Sequence, residues 1–147
     1  MHNTFEDAGR TTNEMASSMS DYLRQDMECE GLMECFHGLK GLDREVFAVV
    51  AAADEPLTVD EIADAVDRER STAYRSVQRL LDAGFLRKEQ VNYETGGYYH
   101  VFELADADAV AADLQRLLND WYAKMGQLIG EYHEKYDDAE ARTATAE

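Results

Sequence analysis

Two groups of residues in this 147-residue chain carry types and spacings that could do chemistry. The first is Cys29 and Cys35, the two cysteines of the chain, with His37 just beyond them. Intracellular thiols are ordinarily reduced, and a pair of half-buried cysteines is the bland expectation; a redox-sensing pair is the sharper one. On one continuous helix these residues would rise about 9 Å apart, beyond the roughly 7 Å that a disulfide can bridge. An intrachain bond therefore needs a break in the helix, for which Gly31 is the candidate. A bond across a dimer axis, Cys29 to Cys29 or Cys35 to Cys35, needs none. The acidic neighbours Glu28, Glu30 and Glu34 argue against a highly reactive thiol. Cys29, Cys35 and His37, completed by His133 or an acid, are also conceivable metal ligands. Their spacing matches no compact zinc pattern, so no metal and no cofactor is expected.

The second group lies between Arg70 and Arg79. Apolar residues at Ala73, Val77, Leu80 and Leu81 follow the i, i+4, i+7, i+8 pattern of a helix with one buried side. Opposite them stand Ser71, Thr72, Arg75, Gln78 and Arg79, all hydrogen-bonding and none acidic. Arginine pairs well with guanine and glutamine with adenine in the major groove, so this face suits base edges. The bland alternative is a polar helix face that meets another protein. No nucleophile–base arrangement and no glycine-rich phosphate loop is present, and an enzyme is not expected.

Composition sharpens the contrast. With 31 acids against 14 bases, the formal net charge is −17. Such a surface repels itself unless salt screens it, which points to a halophilic source. The stretch from Arg68 to His100 departs from this balance. It holds six bases (Arg68, Arg70, Arg75, Arg79, Arg87, Lys88) and four acids (Glu69, Asp82, Glu89, Glu94), a local +2 against −19 elsewhere. A basic island in an acidic chain is the electrostatic footprint of a phosphate-contacting surface. Hydrophobic residues make up 45% of the chain, enough for a core. The longest apolar run, Val46 to Ala53, is far short of the roughly 20 residues that span a bilayer, and no signal segment opens the chain. A cytoplasmic location is expected.

The elements that must position these residues follow in order. Residues 1–20 read as a mobile polar tail. Residues 21–38 read as an N-terminal helix carrying the cysteines, interrupted at Gly31 and ended near Gly38. Asp43 is the expected N-cap of a helix from Arg44 to Ala53. Pro56 breaks the chain, Leu57 is a short strand, and Thr58 with Glu61 forms a capping box that starts a helix over Val59–Val66. The polar turn Asp67-Arg68-Glu69 leads to the helix bearing the polar face, closed by Gly84. Phe85-Leu86 begins a strand, and Val91-Asn92-Tyr93 and Tyr98 to Phe102 flank Glu94-Thr95-Gly96-Gly97, a hairpin turn. Three helices followed by a two-stranded hairpin form a winged helix-turn-helix over residues 39–104. The fold class expected is mainly α with a small β-hairpin wing, flanked by N- and C-terminal helices that form a dimer. From Ala107 to about Tyr136 a proline-free pattern brings Val110, Leu114, Leu117, Trp121, Met125, Leu128 and Tyr132 to one side. Residues 105–136 are thus a long dimerisation helix, and residues 137–147 a frayed polar tail.

Three stretches carry a family resemblance: Leu42-Asp-Arg-Glu-Val-Phe-Ala-Val-Val, Pro56-Leu-Thr-Val-Asp-Glu-Ile-Ala and Ser71-Thr-Ala-Tyr-Arg-Ser-Val-Gln-Arg-Leu-Leu-Asp-Ala-Gly-Phe-Leu. They resemble the DNA-binding domain of archaeal TrmB-type regulators, and more loosely the MarR and ArsR groups. Larger TrmB regulators add a sugar-binding domain that 147 residues cannot contain. The likeness is to compact haloarchaeal members, among which thiol-dependent oxidative-stress regulators occur. It implies a homodimeric transcription regulator of double-stranded DNA, with Cys29 and Cys35 as the oxidant-responsive thiols. On that reading Ser71, Thr72, Arg75 and Gln78 enter the major groove, and Arg70, Arg79, Arg87 and Lys88 hold phosphates. Tyr74 lies beside them, and Thr95 and Gly96 at the wing tip approach the backbone or minor groove. Glu69, Asp82 and Glu94 interleave these bases and suggest salt cations recruited to the DNA interface. The alternative of another class is a winged-helix adaptor of the transcription machinery without base-specific readout.

Overall fold

A computed structural model of the chain describes residues 18–24 and 26–146, with side chains as far as residue 137. The expected tail over 1–20 falls outside the described residues except for its last three. The chain divides into two units, residues 1–104 and 105–147.

In the first unit, α1 (Met19–Arg24) opens where Ser18 Oγ accepts from the Asp21 amide. α2 (Gly31–His37) follows after a turn at Cys29-Glu30. The 21–38 segment is therefore two short helices, not one interrupted helix. Gly31 is the first residue of α2, and its lack of a side chain is what admits Met27: a Cβ there would stand 2.5 Å from the Met27 Cγ. The Tyr22 hydroxyl donates to Glu34 Oε2 across the two helices at 3.3 Å. Partial burial, with the Glu34 carboxylate beside it, pushes the Tyr22 phenol up. Gly38, left-handed at φ 70°, ends α2.

α3 (Leu42–Ala52) and α4 (Val59–Val66) are joined by the Pro56 break. The expected N-cap Asp43 is corrected: Gly41 occupies that position, and Asp43 is the second residue of α3, turned inward and buried. The capping box at α4 is formed, with Thr58 Oγ1 accepting from the Glu61 amide (3.1 Å) and Glu61 Oε1 from the Thr58 amide (2.9 Å). Asp67, left-handed at φ 57°, closes α4 and turns the chain into α5 (Arg70–Asp82). Gly84 (φ 88°) then releases the chain into β1 (Leu86–Asn92), which pairs antiparallel with β2 (Tyr98–Leu104).

Leu57 adds a third, single-residue strand by exchanging both backbone hydrogen bonds with Phe102 (3.0 and 2.7 Å). Val46, Ile62, Val77 and Leu80 are fully buried, with Phe85, Leu86 and Phe102 closing the core from the hairpin's base. Phe85 is gripped edge-on by His37 and Phe47. The architecture is a winged helix: three helices around a small core, and a two-stranded wing.

The second unit is one helix, α6 (Ala107–Ala146), started by Asp106, whose Oδ2 accepts from the Ala109 amide. The frayed tail expected over 137–147 is helical as far as Ala146. The reason is composition: after Tyr132 no glycine or proline interrupts a run rich in alanine and glutamate, both strong helix formers. No described helix is long and apolar enough to cross a membrane.

Candidate nucleic-acid interface

α5 is amphipathic in a strict sense. At 100° per residue, Ala73, Val77 and Leu80 project into the core, together with Ser76. Ser71, Arg75 and Gln78 form the centre of the opposite face, with Arg79 and Thr72 on one shoulder and Tyr74 on the other. Ser71, Tyr74, Arg75 and Arg79 are exposed, and Thr72 and Gln78 half-buried. The sequence-expected groups thus share one side of one helix.

Their charge is less free than the sequence suggests. Arg70 Nε donates to Asp60 Oδ1 (2.8 Å) between two exposed side chains. Arg87 Nε donates to Glu103 Oε2 (2.8 Å), its cross-strand neighbour. Such exposed pairs contribute little and exchange readily for a phosphate. Arg79 differs. Its Nε and Nη2 grip both oxygens of Asp43 (2.8 to 3.1 Å), and the carboxylate also accepts from Ser76 Oγ at 2.6 Å. The Asp43 side chain is 7% exposed and that of Arg79 is 50%. Releasing the guanidinium would strand a buried carboxylate, so Arg79 is tied to the fold and less free to move than Arg70 or Arg87. The hydrogen bonds to Asp43 push the Arg79 guanidinium above its ordinary pKa and keep it charged. Among the described residues Arg75, Lys88 and Arg68 stand without an ion-pair partner, and all three are exposed.

Asp43 and Ser76 went unread in the sequence as functional residues. The signal for Ser76 was present: a hydroxyl amid Ala73, Val77 and Leu80 must find a partner when buried. Arg68 was counted only as charge. Asp82, in line with Gln78, accepts from its amide at 3.3 Å and places an acid at the C-terminal end of the polar face.

The wing tip carries Thr95, Gly96 (φ 101°) and Gly97 (φ 84°), all exposed. The Tyr93 and Tyr99 rings lean together behind it (5.1 Å).

The other candidate groups lie elsewhere. Cys29 and Cys35 are free and exposed, one in the turn before α2 and the other within it, so the rise along a single helix does not govern their separation. No three His, Cys, Asp or Glu side chains among the described residues gather as a metal site. On α6, Leu117, Trp121, Leu128 and Tyr132 are exposed, and Leu114 and Met125 half-buried. Leu118, Tyr122, Ile129 and Tyr136 are exposed beside them, unnoticed in the sequence.

The sequence profile described as "Sugar-specific transcriptional regulator TrmB" matches residues 33–108. The chain belongs to the TrmB family. This TrmB-family protein is therefore a transcription regulator, in a family of regulators rather than enzymes. It is 31% identical over 102 residues to the uncharacterized protein MJ1503 of Methanocaldococcus jannaschii, covering 69% of this chain and 76% of that one. A second uncharacterized protein of that organism, MJ1082, is 30% identical over 105 residues, covering 71% and 86%. Among solved structures, a possible transcriptional regulator from Methanosarcina mazei Go1 superposes with a TM-score of 0.60 at 23% identity, covering 71% of this chain and 88% of that one. The ST1889 protein of the thermoacidophilic archaeon Sulfolobus tokodaii gives 0.51 at 14% identity, covering 68% and 93%. At these identities the structures speak to the fold.

Proposed function

We propose that this TrmB-family regulator binds double-stranded DNA sequence-specifically as a homodimer in the cytoplasm of a halophile, with α5 as its recognition helix. The observation that carries this is the face of α5: Ser71, Thr72, Arg75 and Gln78 stand together on one side, while Ala73, Val77 and Leu80 anchor the other. Arg75, unpaired among the described residues, is the best-placed guanine reader, and Gln78 an adenine reader once its amide leaves Asp82. Tyr74 flanks the groove. Arg70, Arg87 and Lys88 meet phosphates, the first two by exchanging a surface carboxylate for one. Thr95 and Gly96 approach the flanking backbone. Glu69, Asp82 and Glu94 hold salt cations against it. The domain boundaries that go with this are a DNA-binding domain over 39–104 and a dimerisation helix from 105.

The dimer rests on α6, whose apolar stripe is exposed on a unit that contains no other element. The input we assign is the oxidation state of Cys29 and Cys35, which are exposed and outside the core.

One set of titrations tests the base readout and the thiol input. A labelled duplex recovered by in vitro selection on the full chain is bound by wild type, by Arg75→Ala plus Gln78→Ala, and by Cys29→Ser plus Cys35→Ser, each before and after mild oxidant. The Arg75/Gln78 variant should fold normally and lose at least about 30-fold in affinity, two base contacts at 1–3 kcal/mol each. Unchanged affinity would instead favour an adaptor that docks on protein. Wild type should change affinity on oxidation and the cysteine variant should not; equal behaviour of the two removes the thiol input.

A further inference from the structure

The alternation of residues in the wing sorts its side chains by charge. Paired residues of an antiparallel ladder share a face, and successive residues alternate. Leu86, Lys88, Gln90 and Asn92 therefore lie with Leu104, Phe102, His100 and Tyr98 on one face, while Arg87, Glu89 and Val91 lie with Glu103, Val101 and Tyr99 on the other. Leu86 and Phe102 are buried in the core, so the first face is the one turned toward the helices, and β1 packs against α5. Beyond the core this inner face continues as Lys88, Gln90, Asn92, His100 and Tyr98: five hydrogen-bond donors and no acid. Both strand glutamates, Glu89 and Glu103, stand on the outer face. In a chain of net charge −17, an acid-free face of donors departs from the rest of the surface.

We propose that this inner strand face, rather than the glycine tip alone, is a second duplex-DNA contact surface, continuous with α5 and resting on the DNA-binding reading of that helix. From Glu89 to Leu104 the wing has no lysine or arginine. It meets the sugar–phosphate backbone through neutral donors: the Gln90 and Asn92 amides and the Tyr98 hydroxyl. Gln90 Nε2 donates to Asn92 Oδ1 (2.9 Å), and the Asn92 amide nitrogen donates to none of the described residues. The His100 ring props that of Tyr98 edge-on at 5.4 Å. Gln90, Asn92 and Tyr98 are exposed, so their substitution does not disturb the core. Neutral donors displace no condensed counterions, whereas each lysine–phosphate contact does. This surface thus orients the duplex at salt concentrations that weaken charged contacts.

The test is fluorescence anisotropy of the selected duplex with the full chain over a range of KCl, with thermal melting as the check on folding. Gln90→Ala plus Asn92→Ala, and separately Tyr98→Ala, should each weaken binding about tenfold at every salt concentration, with the slope of log K against log [KCl] unchanged. Tyr98→Phe, which keeps the ring, should lose part of that. Lys88→Ala should lower the slope by about one contact per subunit. Tyr93→Ala, the same residue type on the outer face, should bind like wild type. Inner-face variants that bind like wild type while Arg75→Ala binds weakly would overturn the inner face and leave the α5 reading standing. So would a Tyr93→Ala loss equal to that of Tyr98→Ala. If Arg75→Ala also has no effect, both readings fall together.

Discussion

Asp43 accepts four hydrogen bonds from two residues more than 30 positions away, Ser76 and Arg79. This carboxylate, from the first turn of α3, is the polar tie that sets how α5 sits on the core. Removing it leaves the Ser76 hydroxyl buried without an acceptor and the guanidinium without its anion. Because half of the Arg79 side chain reaches solvent, the loss falls below that of a fully buried pair. Asp43→Ala should destabilise by about 2–3 kcal/mol and Ser76→Ala by about 1 kcal/mol, read from urea unfolding midpoints; an Asp43→Ala loss under about 0.5 kcal/mol would show the tie to be ornamental. The sign of any pH effect follows from Arg79. Its raised pKa keeps it protonated through the neutral range, so the arginine side of the pair is lost only in strong alkali, as pH rises past the folded value. Asp43 also marks the limit of legibility. A carboxylate near a helix start reads locally as a cap, and nothing in its neighbours announces partners contributed by another helix.

Local rules served the elements well where the determinants are local. Thr58 and Glu61 sit three apart and make both bonds of a capping box; Gly84 and Gly96 fall where positive φ is required. They failed at Gly31, where the deciding contact is the Met27 side chain folding back, and at residues 137–146, where polarity was mistaken for fraying. On α6 the exposed stripe has a period the steps of three and four conceal. Leu114 recurs as Met125 and Tyr136, Leu117 as Leu128, Leu118 as Ile129, and Trp121 as Tyr132, each after 11 residues. At 3.6 residues per turn an 11-residue repeat drifts by about 20° each time, in the sense opposite to the drift of a 7-residue repeat. In the proposed dimer the partner helix should accordingly wind about it with a shallow right-handed twist. Leu117→Glu plus Leu128→Glu should leave a monomer in sedimentation equilibrium at about 10 μM, where K values of ordinary dimers keep wild type paired. A wild type that sediments as a monomer under those conditions would end the α6 proposal.

For the whole molecule, charge is the governing quantity. The +2 island is thinner than its count, since Arg70, Arg79 and Arg87 already face carboxylates. Binding driven by released counterions alone would fade by orders of magnitude as salt rises. Cations held between Glu69, Asp82, Glu94 and phosphate would reverse part of that trend. Affinity for the selected duplex should therefore level off or recover between about 0.5 and 2 M KCl after any initial fall; a steep monotonic decline across that range would exclude bound cations.

The two short backbone bonds between Leu57 and Phe102 have a mechanical consequence. Leu57 precedes the capping box of α4, and Phe102 is held in the same strand as Tyr98 and His100. The wing is thereby stitched to the chain just ahead of the helix-turn-helix, besides being continuous with α5 through β1. Wing and α5 are thus tied together at two places. A movement of the one should therefore carry the other with it.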